Sequence, residues 1–215
     1  DTPDRTERMR HLDSLETAGR TLSAIVDDVL TFAKLEGGHG SPEAIAFEPR
    51  QLLHTVAELF AAEARRHSLS IELDAPAGRV IGDPARLQRV LTNLVGNAVK
   101  FTRTGTISIA ASRQDGDLWR FQVTDTGVGI RSDRLDAIFE PFVQADASTT
   151  RSYGGTGLGL SISRMLVESM QGAIRVASPS GISASTPIPL PVSSTSGPVT
   201  TDVTTSTTSS LRLLA

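Results

Sequence analysis

"GDPARLQRVLTNLVGNAVKFT" occupies residues 82–102 and decides how the rest of the chain is read. Pro84 stands just inside its start, where a missing N–H costs nothing and a fixed φ suits a helix. Leu87, Leu91, Leu94, Ala98 and Phe101 recur at steps of three and four and predict one buried stripe. Asn93, Asn97 and Lys100 follow the same spacing and share a neighbouring face. Two amides and an ammonium beside an apolar wall suit a hydrated cation and a polyphosphate. An amide oxygen is a hard ligand fit for magnesium, and lysine supplies a point charge for phosphate. Read alone, the same face also fits a solvated polar side of a helix.

Downstream, "GTISIAAS" (105–112) and "LWRFQVTD" (118–125) predict two strands around a turn at Gln114–Asp117. Trp119, Phe121 and Val123 point to one face of the second strand, and Asp125 is in phase with them. A carboxylate on an apolar face is costly unless it finds a donor. The exocyclic amine of adenine is such a donor, and the apolar wall would pack its ring. Gly127 and Gly129 let the backbone come close to a base. The plain alternative is an aspartate that opens a turn. In "RSYGGTGLGLSIS" (151–163), four glycines precede a helix carrying Leu160, Ile162, Met165, Leu166 and Met170. A glycine-rich turn at a helix N-terminus offers free N–H groups to phosphate. No G-K-[ST] closes it, so it is not a Walker A loop. The polar "VQADASTTRSY" (143–153) precedes it where the dinucleotide fingerprint requires a strand. That stretch suits a mobile lid, and a glycine-rich connector is the alternative.

Upstream, Pro49 opens a helix with Leu52, Leu53, Val56, Leu59, Phe60 and Ala64 on one face, and "SLSIELD" (68–74) alternates like a strand. "AIRVAS" (173–178) is a further strand. Helices and strands of this order predict an α+β fold, a two-layer α/β sandwich. Before it, Leu12, Leu15, Gly19, Leu22, Val26, Val29 and Ala33 alternate steps of three and four. They form a heptad seam on one long helix that ends at Gly37-Gly38. Such a helix needs a second helix or a second subunit to bury its seam. The chain begins inside a helical pattern and reads as part of something longer. The domain reading is 1–38 for this helix, 39–46 for a linker and 47–192 for the sandwich. Residues 193–210 read as a Ser/Thr-rich linker, and "LRLLA" (211–215) as the first strand of a further domain.

Composition excludes several classes. A net charge of −3 over 215 residues carries no field calling for nucleic acid or an acidic membrane surface. The absence of cysteine rules out a disulfide framework and cysteine-ligated zinc, and fits a reducing compartment. No apolar run approaches a bilayer span.

Taken together, N-x-x-x-N-x-x-K, then D-x-G-x-G, then "FEPF" (139–142), then G-G-T-G-L-G-L resembles the catalytic domain of bacterial sensor histidine kinases. "LSAIVDDVLTFAKLEGG" (22–38) looks like the end of the second helix of their dimerisation hairpin. The resemblance implies ATP and Mg2+ as cofactors, on the histidine kinase/gyrase-type ATPase fold. It implies Asn97 as a magnesium ligand, Asn93 lining the same site and Lys100 on phosphates. It implies Asp125 as acceptor from the adenine amine, with Gly127 and Gly129 shaping that pocket. Phe139 and Phe142 would anchor the lid, and Arg151 and Tyr153 would be lid contacts. Gly155, Thr156, Gly157, Leu158 and Gly159 would sit against the triphosphate and purine. It further implies a homodimer through the hairpin, relay to a receiver domain or response regulator in a hybrid-type kinase, a cytoplasmic setting, and membrane contact only through other segments.

The family's acceptor lies in a phrase like S-H-E-[LF]-R-T-P-L. Here Leu12 follows His11, and Glu16 stands where proline belongs. His39, His54 and His67 lack that context as well, so the expected reading is an ATP machinery without its acceptor histidine. The last strand departs too: "ASTPIPLPV" (184–192) carries Pro187, Pro189 and Pro191 on one edge. Two other readings compete. A clamp ATPase of the same fold usually carries glutamate where Asn93 stands, and a non-catalytic nucleotide-binding scaffold would bind without transfer.

Overall fold

The structure is a computed structural model that describes residues 5–38, 40–114, 118–143, 156–178, 201–207 and 209–214. It divides into two compact units, residues 1–40 and 41–215.

In the first unit, helix α1 runs Arg5–Glu36. It closes through the Gly37 and Gly38 amides, which donate to the Ala33 and Leu35 carbonyls at 3.0 Å, with Gly38 at φ +66°. Leu12, Leu15, Leu22, Val26 and Val29 are 47–68% exposed, so the heptad seam is uncovered along its length.

In the second unit, β1 (Ile45–Phe47), α2 (Pro49–Arg66), β2 (Leu69–Asp74), β3 (Val80–Gly82) and α3 (Pro84–Phe101) come first. β4 (Gly105–Arg113) and β5 (Trp119–Asp125) follow, then single 3-10 turns at Ser132–Arg134 and Ala137–Phe139. α4 (Gly159–Ser169), β6 (Ala173–Ala177), β7 (Thr201–Thr207) and β8 (Ser209–Leu214) complete the order. A mixed six-stranded sheet runs β2-β4-β5-β7-β6-β8, and β1 and β3 form a separate antiparallel pair. This is the expected α+β layering of helices on one mixed sheet. β2 and β4 are parallel, whereas β4 and β5 are antiparallel with Ile107 opposite Asp125, Ile109 opposite Val123 and Ala111 opposite Phe121. All six of those residues are buried. Period-two alternation therefore puts Asp125 on the core face at the end of its strand.

Helix α3 is the centre of the helical layer. Leu87, Leu91, Leu94 and Ala98 are buried as their spacing requires, but so are Val90, Val95 and Val99. One stripe was expected; the helix is covered on two sides, by the sheet and by its neighbouring helices. Gly96 admits the Phe60 ring of α2, which would lie 3.4 Å from a Cβ there. Two residues leave their predicted stripes. Phe101 is 37% exposed, because α3 ends there and its ring turns under the Lys100 ammonium, 4.9 Å away. Leu59 is exposed because α2 buries only a narrow seam of Leu52, Leu53, Val56 and Ala64.

The domain reading differs from the structure at two segments. The end of the 39–46 linker is strand β1, paired with β3 from Ile45↔Gly82 to Phe47↔Val80. The segments read as linker and as the start of a further domain contain β7 and β8, which join the sandwich's own sheet. β8 runs antiparallel to β5, Asp125↔Ser209 to Arg120↔Leu214. A buried strand with one edge unpaired must satisfy that edge's polar groups, and β-branched Thr and Val suit extended backbone. Composition alone shows no such edge. The proline-bearing stretch 184–192 lies outside the described residues.

Asp83 ties the start of α3 to its surroundings. Its Oδ1 accepts from the Arg86 amide at 2.9 Å as the N-cap. Its Oδ2 accepts from the Glu43 amide and from Arg86 Nε, both at 3.1 Å. Arg86 Nη1 in turn donates to Ser169 Oγ at the end of α4, at 2.6 Å. Asp83→Ala removes the cap and leaves a largely buried guanidinium short of its anion. The expected loss in urea denaturation is about 2–4 kcal/mol, and Asp83→Asn, which keeps an acceptor, should lose less.

Candidate functional site

Three sets of predicted residues come together along α3. At its middle, Asn93 Nδ2 donates to Ser163 Oγ on α4 at 2.9 Å, and Ser163 Oγ donates to the Gly159 carbonyl at 2.9 Å. Gly159, the first residue of α4, sits directly on the Asn93 amide. A Cβ there would overlap Asn93 Oδ1 and lie 3.0 Å from its Cγ. Glycine lets the Asn93 amide keep this position, which a side chain at 159 would displace. The polar face of α3 and the glycine-rich start of α4 thus form one wall.

Asn97, one turn on, is half-buried, and its amide makes no hydrogen bond among the described residues. Lys100 follows, half-buried, its ammonium pulled below the usual lysine value by burial. An oxygen ligand and a cation therefore stand side by side at the surface of an apolar wall. Among the described residues no group of three or more His, Cys, Asp or Glu could hold a metal. A cation here would depend on the Asn97 amide, water and a ligand's own oxygens.

At the C-terminal end of α3, Asp125 is 5% exposed. Its Oδ1 accepts from the Gly127 amide at 2.8 Å. Burial pushes its carboxyl up from 3.8 to about 6, against the opposing effects of the Gly127 amide and the nearby Thr102 hydroxyl. A Cβ on Gly127 would lie 2.7 Å from Asp125 Oδ1, 2.8 Å from the Phe101 carbonyl and 3.0 Å from Thr102 Oγ1. Gly129 is at φ +77°. The Ile130 amide donates to the buried Ser178 Oγ at 3.1 Å, which fastens the loop to the end of β6.

The approach to α4 is built from the "FEPF" segment and the glycine run. Phe139 is half-buried in its 3-10 turn. Phe142 is 69% exposed at φ +64°, and its amide donates to the Gly157 carbonyl at 3.0 Å. Gly157, at φ +70°, is pressed against the Phe142 backbone, 2.9 Å from where a Cβ would stand. Thr156 Oγ1 accepts from the Leu158 amide at 3.0 Å, and Leu158 is buried. No side chain caps the start of α4, which leaves its first amides for a ligand. Arg151, Tyr153 and Gly155 lie outside the described residues.

Sequence reasoning missed three hydroxyls: Thr102, Ser163 and Ser178, all buried. Ser163 had a signal, a hydroxyl four residues after Gly159, one turn along the same helix. Thr102 and Ser178 sit at element ends, where their partners come from distant parts of the chain and no spacing announces them.

Residues 82–205 match the family described as histidine kinase-, DNA gyrase B-, and HSP90-like ATPase. The signal transduction histidine-protein kinase BarA of Escherichia coli is 42% identical over 171 residues, covering 76% of this chain and 19% of BarA. The autoinducer 2 sensor kinase/phosphatase LuxQ of Vibrio harveyi is 36% identical over 201 residues, covering 89% of this chain and 23% of LuxQ. The chain thus spans about a fifth of the length of these relatives. Among solved structures, full-length ShkA in complex with AMPPNP superposes with a TM-score of 0.70 at 31% identity, covering 97% of this chain and 38% of that one. The Acinetobacter baumannii histidine kinase AdeS shares the fold at 21% identity and a TM-score of 0.68, over 100% of this chain and 85% of AdeS. The chain belongs to the histidine kinase-, DNA gyrase B-, and HSP90-like ATPase family, as the ATP-binding catalytic domain of a sensor histidine kinase.

Proposed function

We propose that this domain binds ATP with magnesium along α3 and passes its γ-phosphoryl group to a histidine nitrogen on an acceptor helix. The observation that carries the reading is the alignment of complementary groups on one helix. Asn93 is bonded to the glycine-rich start of α4, and the Asp125–Gly127 pocket lies at Phe101 and Thr102. From Asn93 to Phe101 is about 12 Å of helix, comparable with the length of a nucleoside triphosphate. The base belongs at the Asp125 end and the phosphates at the Asn93 end. A solved relative, ShkA, carries AMPPNP.

In this reading Asp125 accepts from the exocyclic amine of the adenine, and Gly127 and Gly129 let the base approach the backbone. Lys100 balances phosphate charge, and Asn93 lines the same cleft. Asn97 is the residue that would hold magnesium, whose charge offsets that developing on the transferred group. Gly155, Thr156, Gly157, Leu158 and Gly159 bring backbone amides to the triphosphate and purine. Phe139 and Phe142 anchor the lid, on which Arg151 and Tyr153 reach phosphate or sugar. The histidine lone pair attacks the γ-phosphorus in line, an N–P bond forms, and the bond from phosphorus to the β–γ bridging oxygen breaks to release ADP. Asn93 has no carboxylate with which to activate water, which favours transfer over the clamp-ATPase reading.

The wider assembly follows from the same reading. The uncovered seam of α1 supports pairing in a dimerisation hairpin, and so a homodimer. The phosphoryl group then passes to an aspartate of a receiver domain or response regulator. Among the described residues no helix is long and apolar enough to cross a membrane. We place the domain in the cytoplasm, with ATP, and any membrane contact in other segments.

Three outcomes test this reading. Incubated with magnesium and γ-phosphate-labelled ATP, the chain alone is expected to take up no acid-labile, base-stable label. A separate acceptor-helix fragment should be labelled in its presence, and Asn97→Asp should lower that transfer at least ten-fold. Label on one of the chain's own four histidines would contradict the acceptor assignment. Gly159→Ala, which forces Asn93 off α4, should cut transfer comparably while the circular dichroism spectrum stays native.

The third concerns Asp125. Its folded value, about 6, lies above its unfolded value of 3.8, so the fold favours the neutral form. That contribution is full below about 3.8 and is lost as pH rises through about 6, a swing of about 3 kcal/mol. Asp125→Asn, always neutral, is therefore expected to melt several degrees higher than the parent at pH 8 without nucleotide. The gain should vanish near pH 4, and ATP affinity should fall at least ten-fold at pH 8. An unchanged melting temperature at both pH values would refute the burial argument, and unchanged affinity the adenine assignment.

A further inference from the structure

We infer that Ser163 is a positioning residue for phosphoryl transfer, fixing which end of the Asn93 amide faces the glycine-rich start of α4. The inference rests on the nucleotide-site reading above and adds a residue to it. Ser163 lies in α4 and is 1% exposed. Its Oγ donates to the Gly159 carbonyl at 2.9 Å. A serine hydroxyl has one proton, and this bond uses it. Only lone pairs remain on the oxygen, so the group that meets them from α3 must donate. That group is Asn93 Nδ2, at 2.9 Å. Turned over, the amide would set its Oδ1 against Ser163 Oγ, acceptor against acceptor.

The two ends of a carboxamide are nearly alike in size, so shape does not choose between them. Ser163 does. Asn93 is half-buried, its Oδ1 bonds no described residue, and a Cβ on Gly159 would overlap that atom. The oxygen is therefore the end presented to the glycine run. An oxygen there holds a cation, or a water on one, and repels phosphate oxygens; a nitrogen would do the reverse. That polarity suits the magnesium assigned above to Asn97, one turn along the same face. Ser161 provides the comparison. It is 3% exposed on the same helix and donates to the Leu158 carbonyl at 2.8 Å, but no described side chain donates to it. A hydroxyl that serves only its own helix is readily replaced by alanine, the better helix former.

The test has two arms. The first is a nitrogen–proton NMR spectrum of the nucleotide-free chain, with each side-chain amide assigned through its own Cβ. One Asn93 Nδ2 proton is expected to exchange with water roughly five-fold more slowly than those of Asn97, whose amide bonds no described residue. Ser163→Ala should erase that difference, and Ser161→Ala should leave it. Wild-type Asn93 protons that exchange like those of Asn97 overturn the inference, and this arm needs no variant to fold. The second arm is transfer to a separate acceptor-helix fragment at saturating ATP and fixed magnesium. Ser163→Ala should lower the rate roughly five-fold, while ATP affinity without magnesium stays within about two-fold. Ser161→Ala should transfer like wild type. In an Asn93→Ala background, Ser163→Ala should cost nothing more, because no amide is left to position. An undiminished rate in Ser163→Ala, the same loss in the Asn93→Ala background, or an equal loss in Ser161→Ala overturns the inference. A wild type that transfers nothing overturns the nucleotide-site reading itself, and this inference with it.

Discussion

The close fit of Asn93 on Gly159 is the contact that joins α3 to α4, and the proposed nucleotide site depends on it. α3 is already fixed by its buried leucines and valines, so it cannot move to accommodate a side chain on α4. The start of α4 must therefore come to α3, and glycine permits this because a Cβ would overlap the Asn93 amide. The bond from Asn93 to Ser163, and from Ser163 back to the Gly159 carbonyl, locks the approach. One asparagine thus sets how closely the uncapped start of α4 approaches α3.

The other end of the cleft is held by a different economy. Asp125 is placed on the core face by strand alternation, opposite Ile107, where a carboxylate is poorly solvated. Its Oδ1 accepts from the Gly127 amide, and the buried Thr102 hydroxyl lies beside it. Burial there disfavours the charged carboxyl and raises its value to about 6. Such local conflicts between folding and polarity are where a functional site is expected. The first unit answers to the same logic: the seam of α1 leaves its apolar residues in water unless another helix covers them.

How much was legible in the sequence varied with the range of the interaction. Asn93, Asn97 and Lys100 could be read as one face because helical spacing is local and regular. Asp125 could be read as inward because alternation is also local. The second buried side of α3, through Val90, Val95 and Val99, was not legible, since one helix's pattern does not report how many neighbours will cover it. The same holds for Leu59 and Phe101, apolar in sequence yet exposed. Residues 201–214 read as tail and stray strand because nothing in their composition reveals the unpaired edge of β5 that they meet.

The sequence by itself determined the four helices, the strands β2, β4, β5 and β6, the α+β class, the resemblance to sensor histidine kinases, and the order of polar groups along α3. All of these rest on spacings of one to four residues, or on motifs whose residues lie close together in the chain. Tertiary structure alone decided that the Asn93 amide packs directly on Gly159, and that Asp83 joins residue 43 to the start of α3. It also decided that Thr102 is buried with its hydroxyl beside Asp125. Those contacts join residues from 23 to 66 positions apart. A hydroxyl's need for a partner becomes visible only when the chain has folded around it and excluded water.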